Sequence, residues 1–281
     1  MTPSHACQLP SAHAWRQVGA SLLLVMLSAA ASAEVRSVEG LEFSKVRMQG
    51  SNQLEISSGD SNTLKIRGGE HQLEPPPFVL DGDTLYLGAS ADGRSVADLK
   101  YKVTVVQLQE LAVAGSGEAF VKPIDVPALE VSLDGSGSIR LYDVTAPDLE
   151  LQLVGSGEIQ AAKVHSQRTR LQLKGDGDVQ LGELQTQSLK VHLAGSGDVT
   201  IEQESRVNSL DIGLLGSGDV VLERLTAEAA KVSIVGSGDV TIRVREQLEV
   251  EIMGSGDLLY RGDPTVSRSI LGSGDVTRKA D

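Results

Sequence analysis

The sequence predicts an all-β protein, a β-solenoid of about nine coils of ~20 residues with tight Gly-Ser-Gly corners. Three observations lead there. A Gly-x-Gly triplet returns at a near-constant interval, apolar and polar residues alternate on both sides of it, and aromatic residues make up only 3% of the 281-residue chain, so the core is aliphatic.

The interval comes first because a fixed period signals stacked units. The first glycine of each triplet stands at Gly115, Gly135, Gly155, Gly175, Gly195, Gly216, Gly236, Gly254 and Gly272, with spacings of 20, 20, 20, 20, 21, 20, 18 and 18 residues. Before it, apolar residues occupy every second position, as in Leu149, Leu151, Leu153 and in Leu210, Ile212, Leu214; after it come pairs such as Val179, Leu181 and Val240, Ile242. Period-two alternation is the mark of a strand with one face buried. A further apolar residue nine positions on, at Ile124, Val144, Val164, Leu184 and Leu225, predicts a short third side. Each unit is then strand, tight corner, strand, looser bend and third side. The few aliphatic side chains of one coil cannot offset the ordering of its backbone, so the coils must stack to be stable.

The nine glycines are read as structural turns, since a sharp corner between strands needs positive φ and leaves no room for a side chain against adjacent coils. A phosphate-cradling loop is excluded. That device is a single Gly-rich segment leading into a helix, with a lysine, and here the triplet repeats between strands.

The ends differ from the repeat. In the last coil Arg268 and Arg278 take slots that are aliphatic elsewhere, as an edge in need of protection requires. Residues 34–105 alternate as strands but lack the period, with turn residues at Asp81-Gly82-Asp83 and a break at Pro75-Pro76-Pro77. The expected organisation is a signal peptide over 1–33, an irregular β region over 34–105 capping the solenoid, and the solenoid over 106–281. The signal reading rests on Arg16, the apolar run "VGASLLLVMLSAAASA" and the small residues Ala31-Ser32-Ala33, with cleavage after Ala33. Cys7 precedes that run, so the mature chain has neither thiols nor disulfides. The expected product is exported, periplasmic or at the cell surface, and is not an integral membrane protein after cleavage. A net charge of −13 without a basic patch argues against nucleic acid as a partner.

The residue after each triplet is acidic in most coils, and Asp178, Asp198, Asp219, Asp239, Asp257 and Asp275 form a candidate carboxylate edge. Turn chemistry accounts for it, since Asp bonds local backbone amides. A divalent-cation edge is the alternative, although Ca²⁺ takes six to eight oxygens and one carboxylate per coil supplies few. Arg261-Gly262-Asp263 spells an integrin-ligand triplet and also reads as a Gly-Asp-Pro turn. His71, His165 and His192 have no metal-ligand spacing. No cofactor and no catalytic residue is expected.

The serial "GSGD" corners, the N-terminal β segment and the closing stretch "YRGDPTVSRSILGSGDV" resemble the bacterial head GIN domain family, described as putative autotransporter adhesins. The resemblance spans nearly all of the mature chain. It implies a right-handed β-helix-like fold and an adhesion role, and it brings no catalytic residues. The expected function is a non-enzymatic exported binding or adhesion protein whose partner is a macromolecule of the cell envelope or surface. The alternatives are a periplasmic scaffold and a polysaccharide-acting β-helix enzyme. Against the enzyme, the carboxylates recur on every coil, whereas an active site would interrupt the repeat at one place.

Overall fold

A computed structural model describes residues 34–280. The apolar run, Cys7 and the cleavage position Ala33 lie outside the described residues.

Strands dominate, and the one helical element among the described residues is a single turn at Glu70–Gln72. The strands Ala128–Gly135, Asp148–Gly155, Arg168–Gly175 and Ser188–Gly195 pair in parallel, each residue with its equivalent in the next coil. Ser138–Thr145, Glu158–His165 and Asp178–Gln185 form a second parallel side in the same way. The alternating residues Leu129, Val131, Leu133, Ile139 and Leu141 point inward and are at most 2% exposed. At Tyr142-Asp143 the alternation slips by one residue, so that Leu141 and Val144 both face the core. This slip carries the chain onto its third side, where Val144, Val164, Leu184 and Leu225 are fully buried. The result is one continuous aliphatic core along the axis of a β-solenoid.

The corner geometry explains the glycine period. The nine glycines stand in register, with φ between 105° and 146°. The carbonyl of Gly195 accepts the N–H groups of both Ser217 and Gly218, at 2.9 and 3.2 Å, and the same fork repeats at other corners. A Cβ on Gly216 would lie 2.1 Å from that carbonyl oxygen. A side chain there would displace backbone of the adjacent coil.

Residues 34–105 continue the same sheets in a different chain order. The corner Gly50-Ser51-Asn52 joins strands Lys45–Gln49 and Gln53–Ser58, which pair in parallel with Glu110–Gly115 and Glu118–Val121. On their other side lie Thr84–Leu87 and Lys100–Val105, also parallel. The coil earliest in sequence is therefore second in space. Asn52, fully buried, fastens this arrangement: its Nδ2 donates to the carbonyls of Gln49 and Val96, and its Oδ1 accepts the Leu99 N–H. Beyond it the strands turn antiparallel, with Phe78–Asp81 on one side and Thr63–Gly68 followed by Glu34–Glu39 on the other. That change ends the parallel stack at its N-terminal end.

Candidate binding site at the interrupted coil

The coil from Gly195 to Gly216 is one residue longer than its neighbours. Ile201 pairs with Leu181 and Arg206 with Gln185, so the extra residue falls between Ile201 and Arg206. There the strand Val199–Ile201 stops, Glu202, Gln203 and Glu204 stand exposed, and Ser205–Gly216 begins. Ser205 takes the slot that Leu184 and Leu225 fill in adjacent coils. It is 4% exposed, yet its Oγ accepts the Leu184 N–H at 3.0 Å and donates to the Gln203 carbonyl at 2.9 Å. The buried hydroxyl is thus satisfied, and it holds the bulge closed at its base.

Two recesses flank the bulge. The smaller, about 390 Å³, lies beside Glu202 and Gln203 and is lined by Arg140, Gln160 and Gln180, with the half-exposed ring of Tyr142 at its edge. The larger, about 730 Å³, is lined by Gln185, Thr186, Ser205, Asn208 and Thr226. Its charged lining residues are Glu204, Arg206 and Arg243. Gln185, Arg206, Thr226, Arg243 and Arg261 occupy one column in register, so Arg206 and Arg243 sit two coils apart, about 9.6 Å along the axis. Glu204 lies 3.9 Å from Arg243 Nη1 and 3.8 Å from Arg224 Nη1. The Arg243 Nε is buried and makes no hydrogen bond. The Arg206 side chain has no ion pair or hydrogen-bond partner among the described residues. Chemically, the larger recess offers two guanidinium groups two coils apart, one of them beside the Glu204 carboxylate, among hydroxyl and amide groups.

This site was absent from the sequence expectations. The signals that point to it are the single 21-residue interval and a serine in an aliphatic slot.

The acidic edge lies elsewhere and has a definite bonding pattern. The Asp198 N–H donates to Asp178 Oδ1 at 3.0 Å, and Asp219, Asp239, Asp257 and Asp275 repeat the contact with the preceding aspartate at 2.8 to 3.0 Å. In the earlier coils the equivalent amides of Ser138, Glu158 and Asp178 donate to the carbonyls of Gly117, Gly137 and Gly157. The Asp275 carboxyl is held below the usual carboxylate range by the Thr277 hydroxyl and the Val276 amide. Among the described residues no three His, Cys, Asp or Glu side chains converge as a metal site.

Arg261-Gly262-Asp263 sits near the C-terminal end of the solenoid. Asp263 pairs with Arg278 at 2.9 Å, and Arg261 Nη1 donates to the Ala280 carbonyl at 3.2 Å. Arg268 Nη1 reaches the Val276 carbonyl at 3.4 Å across the open last coil. His165 stands 3.9 Å from Asp143, and His71 and His192 join no cluster. A different outward column is apolar: Leu215, Val235, Met253 and Leu271 are in register and 53%, 38%, 56% and 69% exposed.

Comparison with known proteins agrees with the architecture. A putative adhesin from Parabacteroides merdae superposes with a TM-score of 0.65 at 15% identity, covering 89% of this chain and 97% of the other. A putative lipid binding protein from Parabacteroides distasonis gives 0.61 at 23% identity with the same coverage. A putative adhesin from Bacteroides fragilis gives 0.51 at 21% identity, covering 89% of this chain and 98% of the other. No curated protein matches the sequence. The family model described as "putative auto-transporter adhesin, head GIN domain" matches residues 42–209 and 143–264, which between them take in most of the cap, the corners from Gly115 to Gly254 and the interrupted coil. The chain belongs to the head GIN domain family.

Proposed function

We propose that this chain is a non-enzymatic exported binding protein that attaches the cell envelope or surface to another macromolecule. The observation that carries the reading is the interrupted coil: between neighbouring 20-residue coils it gains one residue at 202–205, and polar recesses open on both sides there. Family membership supports adhesion. The one carboxylate lining the larger recess, Glu204, is engaged by two guanidinium groups, which suits a binding site better than acid–base chemistry. Protease treatment of intact cells tests the location. Digestion without breaking the outer membrane supports surface attachment, and protection until the membrane is opened supports a periplasmic scaffold instead.

A second reading has its own observation. The apolar column Leu215, Val235, Met253 and Leu271 would suit a lipid, the class of ligand ascribed to the Parabacteroides distasonis relative. Co-sedimentation with neutral phosphatidylcholine vesicles, abolished by Met253→Asp, would favour it.

A further inference from the structure

We propose that the larger recess binds a carboxylated sugar, the uronate unit of an acidic polysaccharide. The inference rests on the binding-protein reading above and names its ligand. Three features of the recess point to that chemistry.

The first is the pair of guanidiniums. A planar fork of donors suits a carboxylate, and Arg243 lines the recess with its side chain 35% exposed and only a loose ion pair, 3.9 Å, to Glu204. Arg206, in the same column two coils away, is held by no carboxylate. The second is the remainder of the lining. Asn208 and Thr226 are uncharged groups that both donate and accept, which is what a ring bearing several hydroxyls needs, while Gln185 already donates to Glu183 and the Thr186 hydroxyl is bonded to Ser166 and the Ser188 carbonyl. A volume of about 730 Å³ falls in the range of small-ligand sites, roughly 300–1,000 Å³, and suits one or two sugar rings.

The third feature is Glu204. It lies within 4 Å of Arg224 and Arg243, so a dianionic phosphate entering the recess meets stronger repulsion from it than a monoanionic carboxylate does.

The test is calorimetry on the purified protein with trigalacturonate as the probe. Its methyl ester, inorganic phosphate and phosphatidylglycerol vesicles serve as comparators. Trigalacturonate should bind and its methyl ester should bind at least tenfold more weakly. Arg206→Ala and Arg243→Ala should each weaken trigalacturonate by about tenfold or more, and Arg243→Lys should not restore it, because an ammonium cannot reproduce the fork. Arg245→Ala should change nothing, since Arg245 pairs with Glu228 and does not line the recess. Equal binding of acid and ester, no binding of trigalacturonate, or binding indifferent to both arginines would overturn the proposal. Preference for phosphate or for the vesicles would do the same. These failures are separable from failure of the adhesion reading: surface-exposed protein that still attaches to cells when Arg206 and Arg243 are both alanine leaves adhesion standing and removes the uronate site.

Discussion

The two halves of the corner column use one turn and two kinds of pairing. At Gly135, Gly155 and Gly175 the residue after the triplet stays in the backbone ladder, its N–H bonded to a glycine carbonyl of the preceding coil. From Gly195 onward that N–H is taken by an aspartate side chain of the preceding coil. The glycines are equivalent in both halves, so they set the turn. The following residue chooses the partner. Glutamate does not substitute for aspartate here: the carboxylate of Glu158 accepts from Gln160 at 2.8 Å, on its own strand. A stack of carboxylates one coil apart is repulsive, and each amide bond to a charged oxygen offsets part of that.

The largest expected effect comes from the part both halves share. Gly216→Val should lower unfolding free energy by at least about 3 kcal/mol, combining strain at positive φ with displacement of the Gly195 carbonyl. Denaturant unfolding measures it. Gly82→Ala provides the contrast, because its φ of 59° is strained but a Cβ there meets nothing within 4 Å, so about 1 to 2 kcal/mol is expected.

The next effect separates the halves. Asp219→Ala removes the acceptor of the Asp239 amide and should cost about 1 kcal/mol, Asp219→Asn about half of that, and Glu158→Ala less than about 0.5. Equal losses from Asp219→Ala and Glu158→Ala in thermal unfolding would mean that the two pairings are energetically the same.

Acid should act more on the cap than on the coils. Three carboxylates within 34–105 are held low: Glu55 by hydrogen bonds from Lys122 and then Lys102, Asp83 by Lys45, and Asp92 by the Ser90 hydroxyl and the Arg94 amide. Within 106–280 Asp148 is held low by Arg168, and Asp275 by the Thr277 hydroxyl and the Val276 amide. A lowered carboxylate stabilises the fold above its unfolded value, 4.5 for Glu and 3.8 for Asp, and the contribution is lost as pH falls through the folded value. Hydrogen exchange at pH 5 and pH 3 should therefore show the cap opening first, modestly because these pairs face solvent. The smallest expected effect is that of calcium. With one oxygen of each aspartate from Asp178 to Asp257 already on an amide, millimolar Ca²⁺ against chelator should move the melting temperature by less than about 1 °C; a larger rise that is lost in Asp219→Asn would make the edge a cation site.

Much of this architecture is legible in the sequence because a solenoid repeats its physics. Leu149, Leu151 and Leu153 follow the same rule as Leu129, Val131 and Leu133, and the alternation alone puts them in the core. The cap resists such reading. Gly50-Ser51-Asn52 is a single copy with Asn in place of the second glycine, and nothing in its own letters says that 84–105 will lie on one side of it and 110–121 on the other. The recess at the interrupted coil is only partly legible. The 21-residue interval and the missing member between Leu184 and Leu225 stand in the sequence, but nine positions after Gly195 comes Glu204, and only the structure shows that the extra residue moves Ser205 into the slot.

The in-register glycine column also acts as a ruler. From Gly155 to Gly254 each corner glycine carbonyl accepts the same two amides of the next coil, so a whole coil can be gained or lost there, say between Gly155 and Gly175, without altering the fork. The interrupted coil begins at Gly195, four steps from Gly115, which puts it about 19 Å along the axis. Selection could adjust the reach of this protein in increments of one coil, about 4.8 Å, while the interrupted coil and the cap stay as they are.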